Sequence, residues 1–279
     1  MDKRYTGKTF AWEIFMILVV LIFSIPFYVL IINAFKTTKE VYVNPVGLPS
    51  SFNIQSFIDV FKGAGINADF SGALISSLVI TAGALVFLVL IGSITAYGIA
   101  RNKGILTTLA YMLCVVGIII PSQLGLIPMY AVLRTLHLVG TYPGMIFLYV
   151  CKEMPMTIFL YTGFFKQLPI SYEEAALLDG ARFSDMFMKV VMPQMRSITG
   201  TVLLLNSLYI WNDTFDQIVF LNGSKIKTLP AIIYSLTGSY LSQWNIIFAA
   251  VIISLLPMVI LYLFTQKKMM VSLGGGLKG

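Results

Sequence analysis

The sequence predicts an all-α membrane protein with six transmembrane helices. Composition is the first observation: 58% of the 279 residues are hydrophobic and only 11% charged, against about 25% charged in an average soluble domain. Too little charge is present to coat a soluble protein of this size. The second is a set of uncharged runs long enough to cross hydrocarbon, which takes about 20 helical residues. The third is a net charge of +7 whose basic residues sort to one side of those runs. An ordinary soluble enzyme, a disordered chain and a disulfide-stapled secreted module are excluded. A nucleic-acid partner is not expected either, because a basic stripe needs a solvated face. The single histidine, His137, leaves no set of side chains for metal binding or triad catalysis, so no catalytic or metal-ligating residue is assigned.

The first uncharged run extends from Ile14 to Phe35 and predicts a span over about 14–35. It is longer than a signal-peptide core and lacks a small-residue cleavage pattern before Lys36, so a retained anchor is expected. Thr37 to Asp69, with Pro45 and Pro49, predicts a structured cap. A second span is expected over 71–100 and a third over 105–128, within an apolar stretch that continues to Leu133. The fourth, 141–165, is interrupted by Lys152 and Glu153 just before Pro155. The fifth, 197–218, meets Asp213 and Asp216 near its far end. Between it and the sixth, 244–266, Asn222-Gly223 signals a turn and Leu229 to Leu236 a short helix lying at the interface. Residues 1–279 read as one domain.

Charge sets the orientation. With the N-terminus inside, twelve Lys and Arg fall on inner segments and six on outer ones, with Lys152 at membrane depth. Both termini are therefore expected on the cytoplasmic side. Cys114 and Cys151 lie in apolar runs and read as buried small hydrophobes. Pro26, Pro121, Pro128, Pro155 and Pro257 each interrupt helical hydrogen bonding locally.

One segment, 167–196, behaves neither as a span nor as a plain loop. Ser171 with Glu174 three residues later forms a capping-box pattern, Glu173 to Leu178 are good helix formers, and Gly180 suits the left-handed end of a helix. A second short helix fits Ser184 to Val191, stopping at Pro193. The segment predicts a helix-turn-helix on the cytoplasmic face.

Its residues, with others along the chain, resemble a known family. Glu174-Ala175-Ala176, Asp179-Gly180-Ala181 and then Pro193 match the cytoplasmic EAA loop of bacterial ABC-importer permeases. Ala96-Tyr97-Gly98-Ile99-Ala100-Arg101, Ile120-Pro121 with Gln123, Ile127-Pro128-Met129-Tyr130, Trp211-Asn212-Asp213 and the closing Gly276-Leu277-Lys278-Gly279 point the same way. The chain resembles the second, six-span subunit of maltose-type carbohydrate importers, a binding-protein-dependent transport inner-membrane component. One departure is Ser197, where a second proline often stands, which leaves the end of the second short helix open.

The resemblance implies a fold of the ABC importer permease type and a set of roles. The coupling loop would sit in a groove of a separate ATPase, with Glu174 paired to a basic residue there and Ala175 and Ala176 allowing close approach. Asp179 would cap the second helix or contact the ATPase, while Gly180 and Pro193 shape the hairpin. Gly276, Leu277 and Lys278 would reach the ATPase interface, in a tail from Val271 too short and Gly-rich to fold alone. The chain has no Gly-x-x-x-x-Gly-Lys-Ser/Thr loop, so it is not expected to be an enzyme itself, and ATP and Mg would belong to partner ATPase subunits.

Implied partners are a second permease, two ATPase subunits, an extracytoplasmic solute-binding protein, a carbohydrate substrate and the lipid of a bacterial cytoplasmic membrane. Lys152 and Glu153 point about 100° apart on their helix. Either they line the pathway and meet sugar hydroxyls, or one pairs with the partner permease. Asn206, Trp211, Asn212 and Asp213 combine planar polar groups with a ring, which suits a sugar and equally suits helix packing. An importer for a non-sugar solute and an ion-coupled secondary transporter are the alternatives.

Overall fold

The computed structural model describes residues 7–63, 69–237 and 243–275. Its elements are helical, as expected where backbone polar groups must be satisfied within each segment. In order they are α1 (Gly7–Ala34), α2 (Thr38–Val43), α3 (Gln55–Lys62), α4 (Phe70–Arg101), α5 (Ile105–Ile119), α6 (Leu126–Thr135), α7 (Tyr142–Phe165) and α8 (Ser171–Leu178). There follow α9 (Phe183–Asp185), a π-helical segment Met186–Val191, α10 (Met192–Gln194), α11 (Arg196–Asn212), α12 (Phe215–Phe220), α13 (Leu229–Thr237) and α14 (Trp244–Gly275). Four stretches, Thr9–Ala34, Phe70–Arg101, Tyr142–Phe165 and Trp244–Gln266, are each long and apolar enough to cross a membrane.

The apolar stretch after Ile105 is not one straight rod. It breaks between Ile105–Ile119 and Ser122–Thr135, which meet at 101°. Ile120 is extended, with φ −71° and ψ 124°, because the ring of Pro121 drives the preceding residue out of the helical region. The fifth run likewise ends as a helix at Asn212: Asp213 is extended, and α12 starts anew two residues on.

The chain divides into two units. The first comprises Met1–Ser71 and Ile232–Leu256. Here α1 leaves most of its apolar side chains from Phe10 to Ile31 exposed, so it adds little to the chain's own core. The segment after it is tied down by polar contacts. Lys36, fully buried, donates to Asn33 Oδ1 at 3.2 Å and to the Asn44 carbonyl at 2.8 Å. Asn33 in turn donates to the Pro45 carbonyl at 2.8 Å. Thr37 caps α2, and Asn245 at the start of α14 accepts from Thr38 at 2.9 Å and donates to Ser56 at 2.9 Å.

The second unit comprises Gly72–Ala231 and Pro257–Gly279. Its described residues include two apolar cores. One joins Ile80, Ala84, Leu88, Leu133, Met145, Leu148, Ile210 and Phe220. The other surrounds Tyr97, Tyr161, Phe165, Phe187, Val191 and Ile198 beside α8. Helix α7 runs through both. Close approach is permitted by small residues: a Cβ at Gly92 would meet Thr157 Cγ2 at 2.5 Å, and one at Gly83 would meet Ile146 Cδ1 at 2.6 Å. Cys114 is partly buried, whereas Cys151 is exposed, correcting the expectation of two buried thiols; both are free.

Candidate functional site

The segment 167–196 builds its knob from α8 and the helical run after it. Its first turn differs from the expected capping box. Ser171 is already inside the helix, Ile170 occupies the N-cap position, and no side chain caps it. The turn instead closes one residue earlier through backbone bonds, Glu173 N–H to the Ile170 carbonyl at 2.9 Å and Glu174 N–H to the same oxygen at 3.1 Å. Pro169, which presets its own φ, favours this early entry.

The end of α8 is a Schellman motif. Gly180 has φ 80°, its N–H donates to the Leu177 carbonyl at 3.0 Å, and Ala181 N–H donates to Ala176 at 3.0 Å. Glycine takes this conformation without a Cβ penalty. The N-cap position of α9 is Arg182 and carries no side-chain cap, so Asp179 does not cap that helix.

Pro193 does not stop the second helix, contrary to expectation. Met192 N–H bonds to the Phe187 carbonyl, a five-residue π turn, and Pro193 enters in the first turn of α10, where a missing N–H costs little. The run then continues through Met195 into α11. Helix α14 carries helical backbone to Gly275, so the first residues of the tail from Val271 continue that helix. Gly276, Leu277 and Lys278 lie outside the described residues.

On α8 the faces divide sharply. Glu173 and Ala176 are buried, while Glu174, Ala175, Leu177, Leu178 and Asp179 are exposed, with Leu178 at 88%. The buried carboxylate was not singled out by sequence reasoning, which took Glu173 as a helix former. It is held by Arg101, whose Nε donates to Oε1 at 2.8 Å, and by Tyr97, whose hydroxyl donates to Oε2 at 2.6 Å. The signal available was Tyr97 and Arg101 in one motif, but nothing in the spacing joins them to a residue 76 and 72 positions on.

The membrane-depth charges are brought together with an unexpected partner. Lys152 forms an ion pair with Asp216, both side chains being nearly inaccessible, and its ammonium lies 5.7 Å from the Tyr209 ring centre. The pairing is internal to the chain. Beside it Tyr149 donates to Asp213 Oδ2 at 2.7 Å, and Asp213 Oδ1 accepts the Asp216 N–H at 3.3 Å. Glu153 is partly buried on the neighbouring face of α7.

The four residues whose chemistry suits either a sugar or helix packing do not converge on one site. Asn206 is buried and donates to Thr157 Oγ1 at 3.1 Å and to the Val202 carbonyl at 2.9 Å. Trp211 is also buried. Asn212 is exposed and bonds back to the Leu208 carbonyl at 2.8 Å, and Asp213 belongs to the Lys152 cluster. Among the described residues no group of three His, Cys, Asp or Glu is placed to hold a metal ion.

Long apolar helices, one of which carries a buried ion pair, together with a short helix whose outer face is exposed, define an integral membrane protein. Residues 88–268 match the family described as binding-protein-dependent transport system inner membrane component. The chain belongs to that family. It is 32% identical over 251 residues to the probable starch degradation products transport system permease protein AmyC of Thermoanaerobacterium thermosulfurigenes, covering 90% of both chains. It is 30% identical over 253 residues to the melibiose/raffinose/stachyose import permease protein MelC of Bacillus subtilis, again covering 90% of both. The fold is also that of a chain in a bacterial ABC transporter involved in the import of the acidic polysaccharide alginate. Here the TM-score is 0.79 at 20% identity, covering 94% of this chain and 98% of that one.

Proposed function

We propose that this chain is one of two permease subunits of an ATP-driven importer, forming the membrane pathway for an oligosaccharide delivered by an extracytoplasmic binding protein. In this reading six spans cross the membrane: the four long helices, the bent α5–α6 pair and α11. Both termini and the 167–196 segment are cytoplasmic. Two ATPase subunits bind ATP and Mg, and α8 docks into one of them through Glu174, Ala175 and Asp179, with Gly180 and Pro193 shaping the knob. The tail at Gly276, Leu277 and Lys278 joins the same contact.

The observation that carries this reading is the two-faced α8. Its inner face is locked by Glu173 and Ala176, while its outer face and end present two carboxylates, Glu174 and Asp179, among small and apolar side chains. A rigid exposed knob of this kind serves an interface and has no use in a transporter driven by ions alone. The carbohydrate class is supported by the permeases of starch-product and melibiose-family import that align over nine-tenths of the chain.

The pathway contribution of Lys152, Glu153, Asn206, Trp211, Asn212 and Asp213 divides along the same lines. Lys152 and Asp213 hold the depth cluster, Asn206 and Trp211 pack, and Glu153 and Asn212 are left to face substrate or the second permease. The test is uptake of labelled maltotriose and raffinose in cells with and without this chain. Loss of uptake on deletion and its block by ATP depletion are expected. Uptake that survives ATP depletion but collapses with the ion gradient would reject the proposal.

A further inference from the structure

Arg101 and Glu173 lie apart from the exposed face of α8, yet they join three elements at one point. Arg101 is the last residue of α4. Its Nη1 donates to the carbonyl of Phe165, the last residue of α7, at 2.9 Å, and its Nη2 to the Leu168 carbonyl at 3.0 Å. Its Nε donates to Glu173 in the first turn of α8 at 2.8 Å, and Tyr97, one turn back on α4, donates to the other carboxylate oxygen at 2.6 Å. The pair is largely shielded, with side-chain exposures of 14% and 8%.

The placement matches the helix ends. The last carbonyls of α7 lack intrahelical partners and carry partial negative charge, which a guanidinium satisfies, while a carboxylate suits the first turn of α8. Around the pair, Tyr97 packs edge-on against Phe165 at 5.5 Å and against Phe187 at 5.2 Å.

We propose that Arg101 and Glu173 are positioning residues of transport, a charge clamp that makes α4, α7 and α8 move as one body when the coupling loop is pushed. The inference rests on the importer reading above. Without the clamp, α8 would keep only the apolar packing of Ala176 and its chain connections, and part of its displacement would be absorbed there. With it, α8 cannot shift unless the ends of α4 and α7 follow. The geometry needs arginine: a planar fork reaches two carbonyls and a carboxylate together, whereas the single nitrogen of lysine cannot.

The test uses the complete complex in lipid nanodiscs, purified through a tagged ATPase so that assembly is verified first. Spin labels are placed at Thr95 on α4 and Ser171 on α8, with Cys114 and Cys151 replaced by serine. Distances are measured without nucleotide and after trapping with ATP and vanadate. The unaltered clamp is expected to hold one narrow distance in both states. Arg101→Lys and Glu173→Gln are expected to lose it on trapping, with a second, longer or shorter population appearing, and to use more ATP per sugar imported. Tyr97→Phe, which keeps the ring packing, gives the same loss in weaker form and serves if the charge variants fail to assemble. A narrow, unchanged distance in assembled variants, or a shift between states with the clamp intact, would overturn the inference. Absence of any co-purifying ATPase would overturn the importer reading itself.

Discussion

At the scale of single residues, the fate of each buried charge is decided by what reaches it. Lys152 and Asp216 neutralise each other inside the second unit. Removing one partner of a buried pair leaves the other uncompensated, typically at a cost of about 3–5 kcal/mol, while replacing both by apolar groups is far milder. Lys152→Met and Asp216→Leu are therefore each expected to lower the thermal stability of the detergent-solubilised complex strongly, and the double variant Lys152→Met/Asp216→Leu to recover most of it. Additive losses in the double variant would disprove the pairing.

Glu40 offers a pH test outside the spans. Its carboxylate accepts the backbone N–H of Ser50 at 2.6 Å and the Ser50 hydroxyl at 2.8 Å, and these bonds, backbone first, hold its pKa below the ordinary 4.5. A carboxylate whose folded pKa is lowered stabilises the fold above its ordinary value, and that contribution is lost as pH falls through the lowered one. Hydrogen exchange at the Ser50 amide should thus accelerate, relative to a reference amide, as pH drops below 4.5. Glu40→Gln should abolish that pH dependence. The sequence shows Lys152 as a charge at membrane depth, but its partner lies 64 positions away, beyond any helical spacing, and only folding brings it near.

At the scale of elements, α8 and α7 make different demands. A side chain at Gly180 must adopt φ 80°, which costs an L-residue roughly 1–2 kcal/mol. Nothing lies within 4 Å of a Cβ there, so the cost is conformational rather than steric. Gly180→Val and Glu174→Ala are expected to leave the protein inserted while transport per ATP hydrolysed falls; normal uptake at normal ATP cost would contradict the docking role.

On α7 the constraint is contact. A Cβ at Gly144 would stand 2.0 Å from the Leu138 carbonyl oxygen, whereas Gly163 has nothing within 4 Å. Gly144→Ala should reduce the yield of folded protein several-fold, and Gly163→Ala should not, as read by fluorescence-detected size exclusion. The centres of the long helices follow from uncharged apolar runs, although α1 begins before Lys8 and α14 continues past Lys267 and Lys268. The π turn at Met186–Val191 and the break at Asp213 do not, because local propensity there is overridden by packing against α7 and by the Lys152 cluster.

At the scale of the whole molecule, the family shown by the match over residues 88–268 is the one the sequence resembles. α1 exposes apolar side chains along almost its whole length, a surface that requires lipid or another subunit to cover it. Co-expression with a second permease is expected to raise the steady-state level of this chain, measured by immunoblot of membranes; an unchanged level would indicate that lipid alone suffices.

What the order of amino acids determined unaided was the membrane class, the long spans, the short helix before Gly180 and the family. Each is written in local composition, in helical periodicity or in motifs a few residues long. The tertiary structure alone decided which charges are satisfied and by whom: Glu173 by Arg101 and Tyr97, Lys152 by Asp216, Asn206 by Thr157. Those partners lie tens of residues apart, and in a low-dielectric interior a charge is governed by the nearest opposite group in space, whatever its distance along the chain.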